Sequence, residues 1–492
     1  MVLKALIVTH RYVGVVLGVL MTVWCLSGFV MMYQPWPETT AAERQAAIDP
    51  LDLSGCCALP AIGDDTPVGA ARIEMLGGEP VLRMTGAEGP ESYSLATGDE
   101  LPPVNETVVR ATAAAWATGH GFPAELAAVE TIRVDQWSVQ GARRWQPLWR
   151  LQFSDPAGSW IYVDGRTGEI VQDVNAHERF WNWLGAIPHW LYPTLLRENV
   201  RLWNDIVVWS AAIGCFLVIT GMVIGFIRLR GASGAWWPYR NRPMWMWHHV
   251  LGTFVGALVL TWTFSGLLTM TPWGLLESKP SITRNDIASD MTWADTRAIL
   301  DRARTDPTLT ETMVLRAMPF MGQPYLIAIA RDGTQTRLGL NGPAPLTREE
   351  IAAGLSARAG LLASAKLDLM IAEDDFYYGH KQPVDLPVWR VTLADPDETH
   401  IYINATTGDA RIVDATAKRY RWWESGLHSL DFAFMRARPV WDIVTLILLA
   451  AVTAACATGA WLSFTRIGAD FSRLKKLLKR EATGPEEKPP QT

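Results

Sequence analysis

The chain has 492 residues, of which 49% are hydrophobic and 19% charged, with a net charge of −6 and a mean hydropathy of +0.08. It is too apolar for an ordinary soluble enzyme and too charged for an all-membrane bundle, so a few spans joined by folded soluble parts fit best. The acidic balance gives no reason to expect a nucleic-acid partner. Tryptophan is abundant, at 24 residues, and it clusters where apolar runs meet polar ones, the level that indole rings prefer in a bilayer.

In chain order, residues 1–33 are expected as a first transmembrane helix. The run is too long for a signal peptide and no small-x-small cleavage site follows it, so it is read as a retained helix. Residues 34–202 form a first soluble segment. Within it, Cys56-Cys57 are open to a vicinal disulfide or to free thiols. The stretch Val108–His120 reads as an amphipathic helix. Trp149–Ser154, Asp155-Pro156 and Trp160–Asp164 read as strand, turn and strand, which makes the segment α+β. A second span is expected at 203–229 and a cytoplasmic loop at 230–244. A third span follows at 245–273. A second α+β segment covers 274–439, with a helix expected over Thr347–Ala363. The fourth span is 440–465, and a basic tail runs over 466–492. Each apolar run is long enough, at about 1.5 Å per residue, to cross a hydrocarbon core of about 30 Å.

Arginines 228, 230, 240 and 242 lie after the second span, and Arg466, Arg473, Lys475, Lys476, Lys479 and Arg480 after the fourth. Positive flanks stay in the cytoplasm. Both termini and the middle loop are therefore expected inside, with the two long segments outside. This fits a bacterial inner membrane with two periplasmic domains.

The chain reads as an internal duplication. His10-x-x-x-Gly14-x-x-x-Gly18 matches His248-x-x-x-Gly252-x-x-x-Gly256, and Trp24-x-x-Ser27-Gly28 matches Trp262-x-x-Ser265-Gly266, all at an offset of 238. Trp149-Arg150, Asp155-Pro156, Tyr162 and Thr167-Gly168 recur 240 residues later. The offset slips to 239 for His189 and His428, as loop insertions and deletions would make it.

Duplication pairs His10 with His248 near the inner face and His189 with His428 near the outer face. Neutral imidazoles suit the two axial positions of haem iron, and one ligand from each half would place the ring on the pseudo-twofold axis. The expected cofactors are two b-type haems. The glycines one and two turns after His10 and His248 leave a face without Cβ bulk beside a flat ring, although Gly-x-x-x-Gly also serves close helix packing. Arg11 and His249 are left open as an alternative ligand or as contacts to haem propionates. A zinc or copper site is the weaker reading, since carboxylates are absent beside these histidines. Covalently attached haem and iron–sulfur clusters lack the cysteine spacing they need. Tyr377, Tyr378 and His380, in a polar-aromatic loop, are weak candidates for touching a substrate.

The pattern Trp-Arg-Val-x-Leu…Ile-Tyr-Ile-Asn-x-x-Thr-Gly resembles the PepSY domain. Together, His10-Arg11-Tyr12-x-Gly14, Trp247-His248-His249-x-x-Gly252 and Leu427-His428-Ser-Leu-Asp431-Phe432 resemble the PepSY-associated transmembrane family. That resemblance covers nearly the whole chain and implies an inner-membrane ferric-siderophore reductase with two haems. The donor would be a cytoplasmic reduced flavoprotein or ferredoxin, or a membrane quinol, since the chain has no dinucleotide or flavin motif of its own. The acceptor implied is a ferric siderophore. A rival from another class is a haem-free PepSY protein that senses or restrains periplasmic peptidases.

Overall fold

A computed structural model describes residues 1–482, except 55, 87–88, 231–235, 237–238, 284–285, 288–290, 305–308, 310, 322, 340–341, 359 and 380–382. The chain divides into a helical unit (residues 1–35, 181–276 and 420–492) and a sheet unit (36–180 and 277–419).

Three helices of the helical unit are long and apolar enough to cross a membrane: an N-terminal helix, Val2–Met31, a middle helix, Val200–Ile227, and the membrane-length part of a C-terminal helix, Val440–Arg473. Pro243–Phe254 and Gly256–Thr269 pass the same test only as a pair bent by 61°. The third expected span is thus broken at Val255, between Gly252 and Gly256. Glycine lowers the cost of such a break because it brings no side chain to hold the turn. Apolar side chains from all four stretches meet in one cluster, including Leu17, Met21, Leu217, Val259 and Val452. Many large apolar residues on the same helices face outward, among them Val16, Phe216, Ile447 and Phe464. Outward apolar surface of that kind is what a lipid environment accommodates.

The sheet unit holds two four-stranded antiparallel sheets with strands in chain order: Leu126–Ile132, Leu148–Phe153, Trp160–Asp164 and Ile170–Val174, and then Lys366–Met370, Val388–Thr392, His400–Asn404 and Ala410–Val413. The expected hairpins are present, with Trp149 opposite Val163 and Trp389 opposite Ile403. The first expected helix forms over Glu106–Gly119, capped by Asn105, while the second, capped by Thr347 in a reciprocal bond with Glu350, is shorter than expected and ends at Ser356 rather than Ala363. Both sheets carry the same polar clasp. Tyr162 and Arg150 donate to Asp135, and Tyr402 and Arg390 donate to Asp374.

A seven-stranded sheet draws on both soluble segments. Ala71–Leu76 of the first pairs with Thr312–Phe320 of the second, with Ile73 opposite Leu315. The two segments, set apart as separate modules by their position in the sequence, therefore share backbone hydrogen bonds. Strands facing each other across some 240 residues carry no local mark of their pairing. Cys56 and Cys57 are joined as a disulfide and pack against the core of this sheet.

Two histidine pairs in the helical unit

His10 projects from the N-terminal helix and His248 from the first arm of the bent pair. Their ring centroids lie 6.3 Å apart, with the planes inclined by 32°. His189 sits on a short helix, Ala186–Trp190, and His428 ends a π-helix, Arg421–His428. Their centroids lie 6.1 Å apart, with planes inclined by 65°. The two pairings expected from the repeat are the two contacts present.

Each imidazole turns its Nδ1 to a carbonyl-plus-hydroxyl brace. His10 Nδ1 donates to the Leu217 carbonyl at 3.1 Å, with the Thr220 hydroxyl at 3.3 Å. Beside His248 the Thr458 hydroxyl lies 3.5 Å from Nδ1 and itself donates to the Ala455 carbonyl at 2.9 Å. His189 Nδ1 reaches the Trp24 carbonyl at 3.1 Å and Ser27 at 3.0 Å. For His428 the partners are the Trp262 carbonyl and Ser265, each at 3.2 Å. A carbonyl acceptor sets the tautomer, with the proton on Nδ1 and the lone pair on Nε2. Among the described residues, none of the four Nε2 atoms has a hydrogen-bond partner.

Glycines make room for the rings. A Cβ at Gly221 would come within 2.7 Å of His10 Cε1, and one at Gly459 within 2.9 Å of His248 Cε1. At Gly266 the closest atom, His428 Cε1, would be 3.1 Å away. Beside the first pair, a Cβ at Gly252 would meet nothing within 4 Å, and at Gly14 only ordinary contacts of 3.8 Å. A Cβ at Gly18 would instead lie 3.4 Å from the Ala460 backbone, and one at Gly256 would lie 2.8 Å from Met222. The Gly-x-x-x-Gly steps thus divide their work: the first glycine of each is loosely surrounded, with open space at Gly252, and the second serves close packing.

The donor set fits haem iron. Two imidazoles trans on one metal, with bonds of about 2.0 Å, have ring centres roughly 6 Å apart. Both pairs have that separation, unengaged Nε2 atoms and a braced Nδ1. Clusters of three or more His, Cys, Asp or Glu that would suit another metal are absent among the described residues.

His249 points elsewhere. Its Nε2 is hydrogen-bonded to the Gly225 carbonyl at 2.9 Å and its ring meets Tyr239 edge-on. Arg11, half-buried next to His10, has no side-chain partner among the described residues. Tyr377 stacks on Tyr402 and lines an open cavity of about 500 Å³ with Asp385, Asp409 and Arg411, in the sheet unit. Tyr378 does not line it, and His380 lies outside the described residues. Of the other histidines, His120 stacks on Trp116 and His400 bonds Tyr402, both packing roles.

Ser27, Ser265, Thr220, Thr458, Gly221 and Gly459 are the residues that sequence reasoning left without a role. Their signal was present, since all recur at the offset of the histidines. Ser27 and Ser265 stand inside the Trp-x-x-Ser-Gly repeat, and the Thr-Gly steps at 220 and 458 form a further repeat at the same offset.

Compared with known families, residues 8–466 match the model described as the PepSY-associated TM region. A search of the curated proteins finds no match.

Proposed function

The chain belongs to the PepSY-associated transmembrane family, and from that premise we propose that it is a two-haem electron-transfer protein of a bacterial inner membrane. The observation that carries this reading is the double occurrence of facing imidazoles with braced Nδ1 and unengaged Nε2 atoms. His10 and His248 would hold one b-type haem, and His189 and His428 the other. Bound haem would supply reversible one-electron exchange between ferric and ferrous iron. The chain's own part is to fix the ligands: leaving a buried Nδ1–H without its carbonyl would cost about 1–3 kcal/mol, so each ring is held in one orientation. Arg11 would supply a cation for a propionate beside the first pair.

Four spans and an internal duplication are part of the proposal. Support for the fourth span comes from connectivity. Both soluble segments contribute strands to one sheet, so they lie on one side of the membrane. If the middle helix crosses, the bent pair has to cross back. The shared clasps and braces, at offsets of 238 to 240, support the duplication. The arginines at 228–242 put the connecting loop inside by the positive-inside rule. The disulfide Cys56–Cys57 suits an oxidising compartment for the soluble segments.

In this role the protein takes electrons from a cytoplasmic flavoprotein or ferredoxin docked on the basic loop, or from a membrane quinol. It delivers them to an acceptor outside, by family resemblance a ferric siderophore, whose hard-oxygen chelate loosens when the iron becomes ferrous. The test is the absorption spectrum of the purified chain. Reduced-minus-oxidised bands of low-spin b haem at two per chain are expected. A folded but colourless preparation overturns the proposal and favours the peptidase-regulating alternative.

A further inference from the structure

Two thiols meet in the helical unit at positions the repeat does not copy. Cys25 on the N-terminal helix donates its S–H to Cys456 on the C-terminal helix, with the sulfurs 3.8 Å apart. One repeat away stand Thr263 and Val218, so the pair did not come with the histidines. The two helices run close on either side of it. A Cβ on Gly18 would lie 3.4 Å from Ala460 Cα, and one on Gly28 would lie 3.4 Å from Leu449. Between these contacts the sulfurs need to close from 3.8 Å to a bond length of about 2.05 Å. Their surroundings are apolar, including Leu17, Met21, Leu449 and Val452.

We propose that Cys25 and Cys456 are an oxidisable dithiol that closes into a disulfide joining the N-terminal and C-terminal helices. Two S–H bonds break and one S–S bond forms, releasing two electrons and two protons. A lipid-soluble quinone takes both electrons and both protons and becomes the quinol. One sulfur adds to the quinone as its thiolate, and the second displaces it. Water-soluble oxidants are kept away by the apolar packing.

The place of the pair gives it a consequence. Cys25 directly follows Trp24, whose carbonyl braces His189, and Cys456 directly follows Ala455, whose carbonyl holds the Thr458 hydroxyl that stands beside His248. Closing the bond therefore pulls on one brace of each histidine pair. Only this last link rests on the haem reading.

The test uses the full chain in detergent with a short-chain ubiquinone as oxidant. After alkylation of free thiols and cleavage within the soluble segments, the fragments bearing the two helices are separated without reductant. They are expected to stay joined in most chains, to part on adding dithiothreitol, and to be separate in Cys25→Ser and in Cys456→Ser. Cys215→Ser should still give the joined species. Full alkylation of both cysteines after quinone treatment overturns the proposal, as does joining that persists in Cys25→Ser. Joining in a colourless chain would sink the haem reading and keep this one; a two-haem chain that never joins does the reverse.

Discussion

At the His10/His248 pair the histidines ride on the N-terminal helix and the first arm of the bent pair, and their braces, Leu217-Thr220 and Ala455-Thr458, stand on the middle and C-terminal helices. At the His189/His428 pair the roles are exchanged. The N-terminal helix and the second arm of the bent pair supply the braces, Trp24-Ser27 and Trp262-Ser265, and the histidines ride on short segments. Ring separations agree to 6.3 and 6.1 Å, while the ring planes differ, 32° against 65°. The comparison teaches that spacing is set by the carbonyl-plus-hydroxyl brace, whichever element carries the histidine, while ring orientation follows the carrier. A short helix or a π-turn can present a ring at an angle that a straight helix does not. In both pairs, each half of the chain braces its own histidine.

The largest expected effect tests whether the two pairs are independent. His10→Ala and His189→Ala should each remove one of two haems, measured as haem per chain, and the double variant should remove both. Loss of both haems from either single variant would mean that the pairs are one cooperative site. Next in size are the glycines. A Cβ at Gly221 or Gly459 would come within 2.7 or 2.9 Å of a histidine ring of the first pair, so Gly221→Ala and Gly459→Ala should empty the proposed site there in most chains while sparing the other. Gly266→Ala, at 3.1 Å from His428, should distort the second site with partial loss. An equal effect at the two sites would break the contrast in packing.

A subtler difference concerns the ring planes. Crossed imidazoles leave the two iron dπ orbitals nearly equal in energy, which makes a ferric low-spin signal more anisotropic. Two electron-paramagnetic-resonance signals are expected, and the more anisotropic one should vanish in His189→Ala. Its loss in His10→Ala instead would reverse the assignment.

The smallest effect belongs to the sheet unit and serves as the reference. Burial pushes the Asp173 carboxyl up to about 6, against the Thr39 hydroxyl that donates to it. The folded state thus holds this proton more tightly than the unfolded chain. Its contribution is fully present below the ordinary carboxylate range of about 3.9 and is lost as pH rises through about 6. Asp173→Asn should flatten the decline in unfolding temperature across that window and leave haem content unchanged.

Much of this arrangement is legible in the sequence because the repeat pairs the histidines before any coordinates are seen. The repeat favours His248 over His249, since Arg11 holds the matching place in the first half, but it leaves His249 open as an alternative. It is the Gly225 carbonyl that engages His249. Braces made of backbone carbonyls leave no side-chain signature, so Leu217 and Ala455 look like any apolar residues. The approach of Cys25 to Cys456 depends on which spans are neighbours, which no local pattern records. The hairpins around Trp149 and Trp389 were readable from alternation and turn residues, whereas the joining of Ala71–Leu76 to Thr312–Phe320 was not.

That last pairing constrains how the protein is made. When the ribosome has delivered Ala71–Leu76, the partner strand Thr312–Phe320 has not yet been synthesised, and the chain between them has to pass the membrane twice on the proposed topology. Until then the strand edge is exposed, a hazard for aggregation. On that proposed topology, assembly of the sheet unit would report that the bent pair has been inserted, and a chain stalled at that step would present an open strand edge to quality-control proteases.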